Sequence, residues 1–508
     1  MSRIERLREM TGQGADQFRF LRDTSAETMR DVAARVRERG LGESINDWKI
    51  TTKYQADIAR DLGGWVLRAG PKDLVRQLDE LPWFRDFLIH FEKFFARLVF
   101  PRTSHYREAN AMLVRYIVKI VFPDLLGRVF AEPERTVLHE DIIPTEIFHA
   151  MGLSPWMAEI VGILLPMVHG SLIEEYIDSA ENYGITPDTC SLPKSAMGMT
   201  LAGCMPNPVA MVASNMPCDT AMAGYIVMEE KLGIPTYRLD IPHDFKSDRA
   251  VTYFAEELRK MIVWLEANTP GRMDWNKLRS ICETRNKTLQ LEMDLWELLR
   301  NKPAPMAGEP ITYNHFLFMQ LYPGHPDGIA YFERLLEITD DAVRKGKGAI
   351  ANERYRALLW NPMTLTYPDL YTVNEKRWGM SIMMDMLAFR RHPIIDTSTP
   401  ETMLRDLAVC TMNGPMARHT RGPVENFFQD LFYIVDHFDI DMVMMAEHVG
   451  CKNTKALNGM FRELCRDRGI PLLFINDDMT DSRVVSGKDI QRQIDNFMES
   501  VMGATPLR

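Results

Sequence analysis

The stretch Pro208–Pro242 reads PVAMVASNMPC, DTAMAGYIVMEEKL, GIPTYRLDIP, and its organisation decides the fold. An apolar run of strand length ends at Cys218, a helix-period segment follows, and GIP introduces a second apolar run closed by an acidic residue. The order repeats in Asp441–Asp478: DMVMMAEHVGC, KNTKALNGMFRELCRDR, GIPLLFINDD. Val209 precedes Cys218 by nine positions, and Met442 precedes Cys451 by nine. Strand, helix and strand joined this way are β-α-β modules, which predict parallel sheets with right-handed crossovers.

Working outward, the chain divides into three. Residues 301–508 carry the second module and form a second α/β domain. Residues 136–300 form a first one, with the connecting helices of the charged stretch 248–300. The fold class expected is therefore α/β, with two similar Rossmann/flavodoxin-like parallel-sheet domains. Residues 1–135 read as a helical N-terminal extension. Within it, WFRDFLIHFEKFFARL places Phe84, Phe87, Leu88, Phe91, Phe94, Phe95 and Leu98 at helical spacing. The simplest reading of that face is a helix packed on its own protein.

Composition narrows the function. Of 508 residues, 46% are hydrophobic and 26% charged, which suits a globular chain rather than a disordered one. Net charge is −10 with no basic run, so a nucleic-acid backbone is not the expected ligand. The N-terminus mixes both charge signs and lacks the apolar core of a signal peptide. The longest apolar stretch, Ile160–Val168, is far short of the ~18–20 residues that span a bilayer. A cytoplasmic protein without membrane segments is expected.

Seven cysteines, an odd and sparse set, do not form a disulfide framework. Cys218 and Cys451 each sit just past the carboxyl end of a strand, where a helix begins. Open α/β sheets bind ligands there, and a helix N-terminus favours thiolate. Cys190, in GITPDTCSLPKSAMG, again opens a helical segment. Three thiolates meeting at one cleft suit a zinc ion with a fourth ligand, or a cubane iron–sulfur cluster with one iron left open. Cys282, Cys410 and Cys465 read as packing, and Cys204 stays unassigned.

A second feature is IIPTEIFHAMGLSPW (Ile142–Trp156). A Pro-led helix start places Glu146 and His149 three apart on one face, the spacing of an acid–base pair. The same residues also read as an N-terminal charge complementing the helix dipole and a packed histidine.

Taken in order, IPTEIFHAMGL, TPDTCSLPKSAMG, SNMPCDTAM…GIPTYRLDIP, LLRNKPAP, EHVGCKNTKAL and GIPLLFINDDMTDSR resemble the 2-hydroxyacyl-CoA dehydratase / benzoyl-CoA reductase family across roughly residues 136–505. The resemblance implies that Cys190, Cys218 and Cys451 hold a 4Fe-4S cluster and that the family's glutamate falls on Glu146. It implies a homologous second subunit, or a second copy of the chain, as partner, and an ATP-dependent iron–sulfur activator protein as electron source. The implied reaction is radical elimination of water from an (R)-2-hydroxyacyl-CoA to the (E)-2-enoyl-CoA. One added electron makes the β-proton acidic enough for an ordinary base, Glu146 or His149. Where family members often carry serines before the Pro-Glu turn, this chain has VLHEDIIP, and His139 is the candidate for that place. Substrate-binding and electron-relaying subunits both match this pattern.

Two other readings share these residues. A benzoyl-CoA reductase-type or double-cubane cluster reductase subunit uses the same scaffold. A non-catalytic zinc-binding assembly protein uses the same thiols. For a dicarboxylate acyl group, Arg421, Arg483 and Lys452 are the candidate counter-charges.

Overall fold

The computed structural model describes residues 41–507 except 71–77, 79, 103, 245, 362–363, 390–392 and 421. Two four-stranded, all-parallel sheets form the centre of the molecule. The first contains β1 (Thr136–His139), β2 (Ser154–Met157), β3 (Ala210–Ser214) and β4 (Thr236–Leu239), in the order β2-β1-β3-β4. The second contains β5 (Tyr355–Trp360), β6 (Met380–Asp385), β7 (Met442–His448) and β8 (Leu472–Asp477), in the order β6-β5-β7-β8. Both sheets thus have one topology, and the α/β fold with a helical extension is the one expected.

Burial explains why the strands read as apolar runs rather than alternating ones. Helices cover both faces of a parallel sheet, so the inner strands have no solvent face. Every residue of β1 and β3 is buried, whereas the edge strand β4 is mostly half-exposed. The two GIP motifs have a backbone reason. Gly233 ends the helix Asp219–Leu232 with φ 63°, and Gly469 follows the helix Asn458–Asp467 with φ 70°. A residue with a Cβ is strained there, and the proline after it starts the next strand.

In each sheet the chain leaves β1 or β5 towards one neighbour and returns to place β3 or β7 on the other side. Such a reversal of strand order opens a crevice at the carboxyl ends of the strands. The crossovers interlock the two halves. Helix Pro400–Met412, which lies between β6 and β7, packs its Met403, Leu404 and Leu407 into the core formed by Val137, Val212 and helix Asp248–Asn268.

The described part of the extension, helices Leu41–Ala69, Pro82–Val99 and Ser104–Tyr116, is built into the body. Phe84, Phe87, Phe94, Phe95 and Leu98 are buried, as a self-packed helix requires. The buried Arg102 lies 2.7 Å from Glu309 and 2.8 Å from Glu375 near the second sheet. Tyr106 donates to Glu375 at 2.8 Å, and Trp83 donates from Nε1 to the Cys204 carbonyl at 3.1 Å. Among the described residues no helix is long and apolar enough to cross a membrane.

Candidate active site

Cys190, Cys218 and Cys451 each occupy the N-cap position of a helix: Ser191–Leu201, Asp219–Leu232 and Lys452–Lys455. All three are half-buried and line one cavity of about 130 Å³. At two of these helix starts backbone N–H groups meet the thiol, Leu192 at Cys190 and Ala221 and Thr220 at Cys218. Burial pushes the Cys218 thiol up to about 11, while the N–H groups of Ala221 and Thr220 pull it back. Burial and the neighbouring Cys451 hold Cys190 well above the usual thiol range, against the N–H of Leu192. Burial thus favours the protonated form of Cys190 and Cys218.

Several contacts bring the three loops together. A Cβ on Gly450 would lie 2.3 Å from Cα and 2.4 Å from N of Cys190, so only glycine lets these backbones meet. Lys452 pairs with Asp188 at 2.8 Å, and Asn453 donates to the Pro217 carbonyl at 3.4 Å. Ser191 donates to the buried Asp478, whose carboxylate also accepts from the N–H groups of Thr480 and Asp481. The NDDMTD stretch therefore holds the helix that Cys190 caps.

The cavity wall adds an acid that motif reading passed over. Glu159 is buried, Tyr225 donates to its Oε1 at 2.9 Å, and burial pushes it up to about 8. Its Oε2 has no hydrogen-bond partner among the described residues. The only sequence signal was an acidic residue inside the apolar segment following β2.

Glu146 and His149 are not brought together. Glu146 is buried and pairs with Arg285 at 3.0 Å, in a pocket of about 40 Å³ that the buried Cys410 also lines. That pocket shares Asp141 and Met416 with the thiol cavity. His149 turns the other way, stacked on Tyr322 with ring centroids 6.0 Å apart. It lines a third pocket together with His139. Burial lowers His149 to about 3 and His139 to about 4, and His139 Nδ1 bonds the Glu140 carbonyl.

The other cysteines lie elsewhere. Cys282 and Cys410 flank Arg285, Cys465 is buried in its helix, and the Cys204 thiol lies by the Tyr176 hydroxyl. Of the candidate counter-charges, Arg483 pairs with Asp481 and Asp178, Lys452 with Asp188, and Arg421 is outside the described residues. Among the described residues, no three His, Cys, Asp or Glu side chains are drawn close enough to hold a single metal ion.

The profile of the family described as 2-hydroxyglutaryl-CoA dehydratase, D-component, matches residues 142–501, more than two thirds of the chain. The chain belongs to this family of acyl-CoA dehydratase and reductase components. Its relatives include a subunit of the benzoyl-CoA reductase of Thauera aromatica, 21% identical over 64% of this chain and 79% of the relative. The alpha subunit of the lactoyl-CoA dehydratase of Anaerotignum propionicum is 20% identical over 70% of this chain and 88% of the relative. A shorter match, 25% identical over 28% of this chain and 30% of the relative, is to the alpha subunit of the (R)-2-hydroxyglutaryl-CoA dehydratase of Acidaminococcus fermentans. All three thiol-bearing loops and the Glu146 helix fall inside the family region, whereas the aromatic extension lies before it.

Proposed function

We propose that the chain is the iron–sulfur subunit of a 2-hydroxyacyl-CoA dehydratase, with Cys190, Cys218 and Cys451 as ligands of a 4Fe-4S cluster. The observation that carries this reading is the convergence of three helix-capping thiols, from three separate loops, on one cavity. The donor set fits. A single zinc draws its ligands to within about 2.3 Å of one centre, while a cubane takes thiolates from the walls of a larger space. When bound, the cluster would supply a low-potential electron and, at the iron without a thiolate, a Lewis acid for the thioester oxygen.

The chain's own residues manage protons. Loss of water from an (R)-2-hydroxyacyl-CoA removes a hydroxyl at C2 and a proton at C3. Glu159 lines the cavity, burial pushes its carboxyl up to about 8, and it can give its proton to the departing hydroxyl. Glu146, from the adjoining pocket, takes the C3 proton. His149 and His139 complete the proposed set from the third pocket, as neutral groups shaping the wall behind β1.

The homologous second subunit, or a second copy, supplies the other half of the complex, and an ATP-dependent iron–sulfur activator supplies electrons. That the relatives are named as subunits supports the first partner. A benzoyl-CoA reductase-type activity is the second reading, favoured by the Thauera relative. Anaerobic purification with iron and sulfide determination tests the cluster. About four irons per chain are expected, about eight for a double cubane, and none with one zinc for an assembly protein. Cys218→Ser and Cys451→Ser should lose the iron, and Cys465→Ser should keep it. Equal behaviour of all three variants would defeat the ligand assignment. Assays of a 2-hydroxyacyl-CoA and of benzoyl-CoA with the activator then separate dehydratase from reductase.

A further inference from the structure

Next to the thiol cavity lies a second one of about 120 Å³ with a different character. Phe87, Phe91 and Phe94 of helix Pro82–Val99 form one wall, with Ile163 and Leu164 of helix Ile160–Val168 and Leu317. The two cavities share Asp141, Met157, Leu192, Met416 and Met479, so they are contiguous. Among the described residues, Asp141 is the only charged one on the apolar cavity, and neither lysine nor arginine lines it.

We propose that this cavity seats the acyl side chain of the thioester, and that the substrate carries an uncharged aryl or alkyl group rather than a second carboxylate. The inference rests on the acyl-CoA reading above and adds the substrate class to it. Contiguity places the reacting end of an acyl group at the thiols and its far end among the phenylalanines. Among the described residues no cation lines that far end, so a carboxylate there would be buried unpaired and near Asp141, which is strongly unfavourable. Size points the same way, because apolar cavities on the order of 150 Å³ stay dry and take up benzene. Phe91 gains a purpose here. It is half-buried on a helix whose other phenylalanines are mostly fully packed, and it faces this space.

Titration calorimetry of the anaerobically purified full chain with non-reacting CoA thioesters tests the proposal. Acetyl-, butyryl-, hexanoyl-, 3-phenylpropanoyl- and glutaryl-CoA form the series. Affinity should rise roughly fourfold per added methylene from acetyl to hexanoyl. The phenylpropanoyl thioester should bind tightest, and glutaryl-CoA should bind at least about tenfold more weakly than butyryl-CoA. Phe91→Glu, checked by its melting temperature, should abolish the gain with chain length. A flat series, or glutaryl-CoA binding as well as hexanoyl-CoA, overturns the inference and leaves the acyl-CoA reading intact. Failure of every thioester to bind overturns that reading, and the inference with it.

Discussion

The two sheets share one strand order, and the third strand of each runs into a helix-capping cysteine, yet the halves contribute unequally to the site. After Cys218 comes a helix of 14 residues; after Cys451, one of only 4. The crossover from β2 to β3 brings a third thiol, Cys190, to the cavity. The matching crossover from β6 to β7 also contains a cysteine, Cys410, but buries it against Arg285 in the neighbouring pocket. Repetition of the β-α-β module accounts for two thiols, and divergence of the crossovers accounts for the third. A cavity lined by three thiols therefore follows from two halves that are alike in topology and unlike in their connections.

Substitutions can break this asymmetry at graded points. The largest effect is expected where the halves touch. Gly450→Ala must push the Cys451 loop away from the Cys190 backbone, because the core around it does not yield by an ångström or more. A several-fold fall in iron per chain is expected, read by metal analysis beside the wild type.

Next is the pocket where Cys410 stayed. Arg285→Met leaves Glu146 buried without its partner, at about 3–5 kcal/mol of unfolding free energy in denaturant titration. The double variant with Glu146→Leu should regain most of that loss. If the single variant is as stable as wild type, the pair is not the support the geometry implies.

Acid sensitivity compares a buried histidine from each half. In the second half His448 faces Asp477 at 3.5 Å. In the first half His149 Nε2 has no hydrogen-bond partner among the described residues, and burial lowers the ring to about 3. Between about pH 6.5 and pH 3 the unfolded chain binds a proton at His149 that the folded one refuses. Stability is thus full above about pH 6.5 and falls as pH drops. At pH 5 the loss is on the order of 2 kcal/mol for a histidine so placed. His149→Phe should make the pH 5–7 stability profile measured by chemical unfolding less steep, His139 supplying much of the remaining slope; an unchanged slope would count against neutral burial.

The smallest effect belongs to the surface tie between the halves. Lys452 and Asp188 are both mostly exposed, so Lys452→Ala should change stability by less than about 1 kcal/mol. A larger drop in melting temperature would show that the tie holds the loops together more than its exposure suggests.

Local chemistry written into contiguous residues was legible without coordinates. The apolar runs gave the parallel strands, the GIP motifs gave the helix stops, and the strand–cysteine–helix order placed Cys218 and Cys451 at one kind of position. Cys190 was found the same way, as the residue opening a helix. These signals are short-range, because strand burial, left-handed glycines and helix N-termini each act within a few residues. The tertiary structure decided the rest. Glu146 and His149, three apart on a short helix, face different pockets because Arg285 claims the first and Tyr322 the second. Glu159 lines the thiol cavity, is raised by burial there, and is bound by a tyrosine 66 residues further along the chain. The aromatic helix of the extension, which reads as plain packing, walls an apolar cavity that adjoins the thiol cavity. Contacts between segments far apart in the chain leave no periodic trace in either one, so only the folded arrangement reveals them.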